Sequence, residues 1–334
     1  MDRRPPVVAP TPKRVEAMLS HAGLDPDAVI GVVTDRDREL TAEKAAINAV
    51  LAGCLPIHFP VVVAGLSAMM DDAFNAHTVM TSTGGAALCL VVSGPVVEEI
   101  GIKATHNVLG PGNRANASIG RALRLVARNV FGARTGEMDA SSFGNPGKFT
   151  MCIGENQPYG DWERLRDEFG YGSDESCVMI MGTEGPHQIA NLTQGDPDAL
   201  CRMYAAAMNT PSTLCAGRRS QVIVLLGPEH GGAIAEAGWS RQKVRETVAH
   251  HARLSAEQLE AAGIKVDTSS SIPMVPDDDG LFPRVGSPDD IFLVTAGGHG
   301  AGWSAYIPAW APPNNSAAAH RRVMPPGQGL PVVG

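Results

Sequence analysis

Short apolar runs punctuated by glycine and proline recur along this chain. VIGVVT, at Val29–Thr34, is a β-branched run and predicts a strand. Thr41 precedes AEKAAINAVLAG, whose apolar positions recur at helical spacing, with threonine as N-cap and Gly53 as stop. Pro60 is suited to open the next helix. Ala87 to Ile100 reads ALCLVVSGPVVEEI, which predicts a strand, a Gly-Pro corner and a helix start. The same grammar appears at Gln221 to Ala237 (QVIVLLGPEHGGAIAEA) and at Cys177 to Ala190 (CVMIMGTEGPHQIA). A weaker version with Gly-Gly runs from Ile291 to Trp303 (IFLVTAGGHGAGW).

The recurrence predicts an α/β fold in which strand–Gly-Pro–helix units are internally duplicated within layered, partly parallel sheets. Upstream of two of these strands, FNAHTVMTSTGG resembles MNTPSTLCAGRR, and the corner prolines Pro95 and Pro228 are 228 − 95 = 133 residues apart. Recurrent punctuation without duplication is the plainer alternative. The expected organisation is a flexible arm (1–14), an α/β domain (15–150), a second related domain (151–307) and a Pro-rich tail (308–334). Such a tail would be irregular or drape over a neighbouring subunit of a homo-oligomer. Ligands of layered α/β folds gather at the carboxyl ends of strands, which the glycine corners mark.

With 334 residues there is room for one large or two medium domains. The balance of 27 Lys+Arg against 35 Asp+Glu, net −8, argues against non-specific nucleic-acid binding. No apolar run approaches the roughly 20 residues needed to span a bilayer. Cys54, Cys89, Cys152, Cys177, Cys201 and Cys215 are widely spaced, without a C-x-x-C pair, and no export signal is evident. Reduced thiols and a cytoplasmic location are expected.

Against that acidic background, Ile100 to Gly136 contains no aspartate or glutamate but carries Lys103, Arg114, Arg121, Arg124, Arg128 and Arg134. Within it, a Gly110-Pro111-Gly112 turn feeds a helix, and backbone N–H groups at such a start suit a carboxylate or phosphate. Gly112, Asn113, Arg114 and Asn116 are therefore candidate substrate ligands, with Thr83, Gly84 and Gly85 of the Ser82–Gly85 corner. Arg121, Arg124 and Arg128 form one stripe opposite Ile119, Leu123, Val126 and Val130. Those arginines fit pairing with acidic residues on another element or subunit better than ligand binding.

Cys54, between two predicted helices, reads either as a nucleophile or as a packed thiol; His58 or His77 would be its base. Cys152 lies three residues before Glu155, a candidate acid or base. Cys54, Cys152 and Cys215 are the set that would hold an iron–sulfur cluster with one open iron. His187, His230 and His299 fall at strand-end corners but lack zinc-binding spacing. Asp35, at the end of the first strand, is an outside candidate within an Asp35–Arg38 charge run.

The strings VVTDRDRELTAEKAAINAVLAGCLP, GPGNRANASIGRALRL, NPGKFTMCIGEN, GPEHGGAIAEAGWS and AGGHGAGWSAYIPAW resemble a bacterial family without a settled biochemical assignment. Its members occur beside, or fused to, small proteins with a Cys-Gly-Ser-Cys or selenocysteine-Gly-Ser-Cys motif, similar to the selenocysteine-containing component B of glycine reductase. The resemblance covers most of residues 30 to 310. It implies a two-component enzyme in thiol or selenol chemistry, and since this chain has no Cys-Gly-Ser-Cys, a partner would bring that thiol. The expectation is an enzyme acting at a carbon–heteroatom bond of a small anionic substrate, with Cys54, His77, Cys152 and Glu155 catalytic. A non-catalytic scaffold or regulatory subunit and an iron–sulfur hydro-lyase are the alternatives.

Overall fold

A computed structural model describes residues 7–34, 37–193 and 195–330. The chain begins with helix α1 (Pro12–Ala22), the antiparallel pair β1 (Val29–Val33) and β2 (Arg38–Thr41), then helices α2 (Ala42–Ala52), α3 (Phe59–Met69) and α4 (Ala76–Thr81). Strand β3 (Ala87–Ser93) leads through the Gly94-Pro95 corner into α5 (Val96–Glu99) and α6 (Arg114–Asn129). Next come β4 (Cys152–Gly154), α7 (Leu165–Glu168), β5 (Ser176–Thr183), β6 (His187–Ala190) and α8 (Pro197–Met208). The second half continues with β7 (Val222–Leu226), α9 (Pro228–Glu236), α10 (Arg241–His251), β8 (Arg253–Leu254) and α11 (Ala256–Ala261). It closes with β9 (Phe282–Pro283), β10 (Ile291–Thr295), β11 (Trp303–Pro308) and β12 (Ala319–Val323).

Local signals act where expected. Thr41 Oγ1 accepts the Lys44 N–H, and Gly53 closes α2 with φ 95°. Pro60 lies in the first turn of α3. Asn113 caps α6 by accepting the Asn116 N–H at 3.1 Å.

The two main sheets repeat one arrangement. The first runs β4-β3-β5-β12 and the second β10-β7-β11-β6, each with one parallel pairing followed by two antiparallel ones. Each edge strand comes from the other half: β6 follows β5 in sequence, and β12 follows β11.

Alternation along the strands explains the layering. In β3, Leu88, Leu90 and Val92 join the helix-side core with α2, α3 and α6. Ala87, Cys89 and Val91 instead meet Ile223, Leu225, Val294 and Ile307 of the second sheet. Val222, Val224 and Leu226 turn the other way, toward α8, α9 and α10. The result is four layers: helices, sheet, sheet, helices. Strands buried on both faces must be apolar at every position, which is why the strand runs are nearly continuous.

Three expectations need correction. Gly185-Pro186 opens no helix after β5; the chain turns into β6, an edge strand where a preceding proline costs no ladder bond. The Gly-Gly corner after β10 likewise feeds a loop into β11. The strand–corner–helix unit therefore occurs at Gly94 and Gly227 only, of the four places. Between residues 309 and 330 the chain is no loose tail: Trp310 and Ala311 are buried, and β12 completes the first sheet through Ala319 and Val323. Nor does a boundary near residue 150 separate the sheets, since β4 and β5 pair with β3. Among the described residues no helix is long and apolar enough to cross a membrane.

Candidate functional site

The carboxyl ends of β4 and β10 meet across the molecule. The Asn156 N–H donates to the Thr295 carbonyl at 2.7 Å, and Thr295 Oγ1 returns a bond to the Asn156 carbonyl at 2.8 Å. Gly297 N–H donates to the Ala104 carbonyl at 2.9 Å, which pins the acid-free loop across the same edge. On either side of this loop lies a cavity. The larger, of about 460 Å³, is lined by His106 to Gly110, the Gly297–Gly300 loop, Gln188 and Ser304. The smaller, of about 190 Å³, is lined by Glu98, Lys103, Thr105, Glu155, Gln157 and Arg164.

The larger cavity holds an exposed imidazole backed by a carboxylate. His299 Nδ1 lies 3.3 Å from Glu229 Oε1, with the His299 side chain 84% exposed and that of Glu229 17%. Burial opposes ionisation of Glu229, but the backbone N–H groups of Gly300, Glu229 and Gly302 and the His299 contact outweigh it and hold the carboxyl below its usual range. The Gly300 bond is 2.9 Å. Glu229 sits in the first turn of α9, where negative charge is also favoured. An ionised Glu229 can only accept, so neutral His299 carries its proton on Nδ1 and presents the Nε2 lone pair outward. His106 Nε2 lies 3.1 Å from the His299 carbonyl.

Two glycines here are closely approached, Gly227 by backbone and Gly298 by a side-chain ring. A Cβ on Gly298 would stand 2.2 Å from the His106 ring, and one on Gly227 only 1.9 Å from the Trp303 carbonyl oxygen.

Ser304 and His230 lie deeper. His230 Nδ1 is 2.8 Å from Ser304 Oγ, and Nε2 is 3.2 Å from the Asn191 carbonyl. A carbonyl only accepts, so Nε2 bears the proton, Nδ1 accepts from Ser304, and the serine proton is used. Ser304 Oγ then accepts from the Gly227 N–H at 3.2 Å and from Tyr204 at 3.3 Å. Both lone pairs are occupied. This is a satisfied buried network that fixes the cavity floor, and His230, fully buried, is pushed down by desolvation.

The residues expected from sequence divide by place. Gly110 lines the larger cavity, and Gly112 is open with φ 108°. Asn113 Nδ2 donates to the Gly101 carbonyl at 2.9 Å, and Arg114 Nε to that of Gly53 at 3.0 Å. Asn116 is buried and clamps Lys103: Oδ1 accepts its N–H at 2.8 Å while Nδ2 donates to its carbonyl at 3.0 Å. The turn thus adjoins Cys54, but its asparagine side chains are engaged inside the protein. Thr83, Gly84 and Gly85 lie at the amino end of β3, opposite the cavities; their carbonyls receive the Ser142 N–H, Ser141 Oγ and Asn145 Nδ2.

All six cysteines are free and buried, and none lines either cavity. Burial pushes the Cys54 thiol up to about 12, outweighing a hydrogen bond from Ser118 and the charge of Arg114. His58, not His77, shares that surrounding: its Nδ1 accepts the Leu55 N–H at 3.2 Å and lies 3.4 Å from Ser118 Oγ. Burial, with Arg114 beside it, lowers His58 to about 4. His77 lies on α4. Cys152 packs in the same helix-side core as Cys54, its thiol raised by burial. Cys215 is elsewhere, its thiol donating to the Ala309 carbonyl at 3.4 Å. Among the described residues no three His, Cys, Asp or Glu side chains are grouped to hold a metal ion, so the three-cysteine set is not assembled.

Glu155 is buried at the end of β4, hydrogen bonded to Ser93 and to the Leu165 N–H at 3.0 Å, with Arg241 Nη1 at 4.0 Å; burial raises its pKa. His187 packs against the Tyr306 ring on β6. Asp35 lies outside the described residues. The sequence marks the corner carrying His299 but not its neighbours Glu229 and Gln188, nor Arg164 of the smaller cavity, because their placement is created only by the sheets. Compared with protein-family models and with curated proteins, the chain matches none.

Proposed function

We propose that the chain is an enzyme performing acid–base chemistry on a small anionic molecule held in the larger cavity, with His299 Nε2 taking and returning the proton. The observation that carries this is the His299–Glu229 contact: an exposed imidazole oriented by a largely buried carboxylate at the carboxyl ends of parallel strands. Glu229 fixes the tautomer and stabilises the imidazolium that forms on proton transfer. The imidazolium and the glycine-rich loop suit a substrate that bears negative charge or develops it. None of the chain's own thiols lines the cavity, so thiol or selenol chemistry there would use a thiol carried by a partner subunit. We also read the matching strand orders as an internal duplication whose edge strands have been exchanged.

Exchange of substrate protons with D2O tests the reading. Small carboxylic acids and phosphate esters are incubated with the protein in D2O and their C–H signals followed by NMR. Wild type should exchange protons in at least one of them, and His299→Asn should slow this by roughly 100-fold or more. A wild type inactive toward all, or an equally active His299→Asn variant, overturns it.

A further inference from the structure

We infer that the smaller cavity is a binding site for a small oxyanion, a carboxylate or a phosphate. Its cationic groups are Lys103 and Arg164. Neither lies within salt-bridge distance of a carboxylate among the described residues, although the charge of Arg164 reaches Glu155. Arg164 Nη2 donates to Gln157 Oε1, and Gln157 Nε2 donates in turn to Glu98 Oε1 at 2.8 Å. That relay spends the one exposed lining carboxylate on an amide and leaves the remaining guanidinium N–H groups for a ligand. Glu155, the other lining acid, is sealed from solvent, and burial favours its neutral form.

The site is built rather than incidental. Asn116 holds both backbone groups of Lys103, and its Nδ2 also donates to the Cys152 carbonyl at 2.9 Å. Lys103 is thereby tied to the first residue of β4, the short strand that leads into the Asn156–Thr295 tie between the sheets. About 190 Å³ accommodates an oxyanion with its first hydration waters, or a small dicarboxylate. An ammonium and a planar guanidinium lining one cavity hold an oxyanion by charge-assisted hydrogen bonds. The inference stands apart from the acid–base reading, since it involves neither His299 nor Glu229.

Calorimetric titration of the full chain with inorganic phosphate and, separately, with malonate tests it at constant ionic strength. Binding of either is expected, and the preferred probe identifies the oxyanion. Lys103→Met keeps the aliphatic stem and should weaken that binding roughly tenfold or more, the value of one charge-assisted bond. Arg164→Met should act in the same direction, and His299→Asn should leave affinity unchanged. An unchanged melting temperature without ligand would show that Lys103→Met is folded; if Arg164→Met does not fold, Lys103→Met alone decides. Absence of binding by both probes at millimolar concentration overturns the inference. So does affinity lost in His299→Asn but kept in Lys103→Met, which would place the anion in the larger cavity.

Discussion

Glu229 and His299, 70 residues apart in sequence, meet at 3.3 Å because α9 and the loop after β10 start from adjacent parallel strands. Glu229→Gln should leave the fold intact but free the imidazole to adopt either tautomer. Long-range 1H–15N NMR should show Nδ1–H in wild type and a mixture in the variant. Turnover should fall by roughly one to two orders of magnitude, part of what a positioned base supplies. A wild-type Nε2–H tautomer would remove Glu229 from its orienting role.

His58 makes stability depend on pH. Its folded pKa is about 4 against an ordinary 6.5, so the unfolded chain takes up a proton first as pH falls. The contribution is intact above pH 6.5 and declines between 6.5 and 4, by on the order of 3 kcal/mol. Urea unfolding across this window should show the decline in wild type and a shallower one in His58→Gln. Parallel curves would mean that His58 is not the group responsible.

Asp139 anchors part of the arginine stripe. It receives Lys148 Nζ at 2.8 Å, Arg124 Nη2 at 2.5 Å and Ser141 Oγ at 2.7 Å. Burial alone would raise its pKa, but Lys148, Ser141 and Arg124 together lower it from 3.8 to about 2. Its stabilisation is present above pH 3.8 and is lost as pH falls through 2, a change on the order of 2 kcal/mol. Asp139→Asn should cost roughly 3 kcal/mol at neutral pH, because two cations lose their counter-charge. A denaturant midpoint close to wild type would contradict this.

Cys54→Ser should keep full activity, since the thiol is buried, protonated and outside the lining of both cavities. Native protein at pH 8 should react with a thiol-specific disulfide reagent only slowly at any of its cysteines. Rapid labelling of Cys54 would restore it as a nucleophile.

Two glycine substitutions should differ in kind. Gly227→Ala drives a Cβ against the Trp303 backbone oxygen and should destabilise by roughly 1–3 kcal/mol. Gly298→Ala meets only the exposed His106 ring, which can swing away. Its cost should stay below about 1 kcal/mol, with loss of the His106–His299 carbonyl contact visible in the histidine NMR signals. Equal unfolding midpoints for the two variants would count against this contrast.

Much was legible in the sequence wherever one stretch of chain settles the matter. Thr41, Gly53, Pro60 and Asn113 act on their own neighbours, and the β-branched runs mark strands whatever their partners. The stripe's spacing marks Arg124 as a pairing arginine, but its partner Asp139 is set only by the fold. The Gly-Pro corner after β5 misled because the following HQIA pairs with β11, an alternative that local propensity does not see.

By itself, the sequence determined the α/β class, the positions of the main strands and helix caps, and the acid-free loop, all set by short-range sterics and periodic burial. Only tertiary structure decided which residues form a site. Pairing β7 with β10 brought Glu229 to His299, and closing the loop over β4 turned Asn116 inward and left Lys103 facing a cavity. Burial decided the thiols: the same Cys54 that adjoins a cationic turn is too deeply desolvated to ionise. Desolvation and convergence depend on residues distant in sequence packing together, and that information resides in the folded chain.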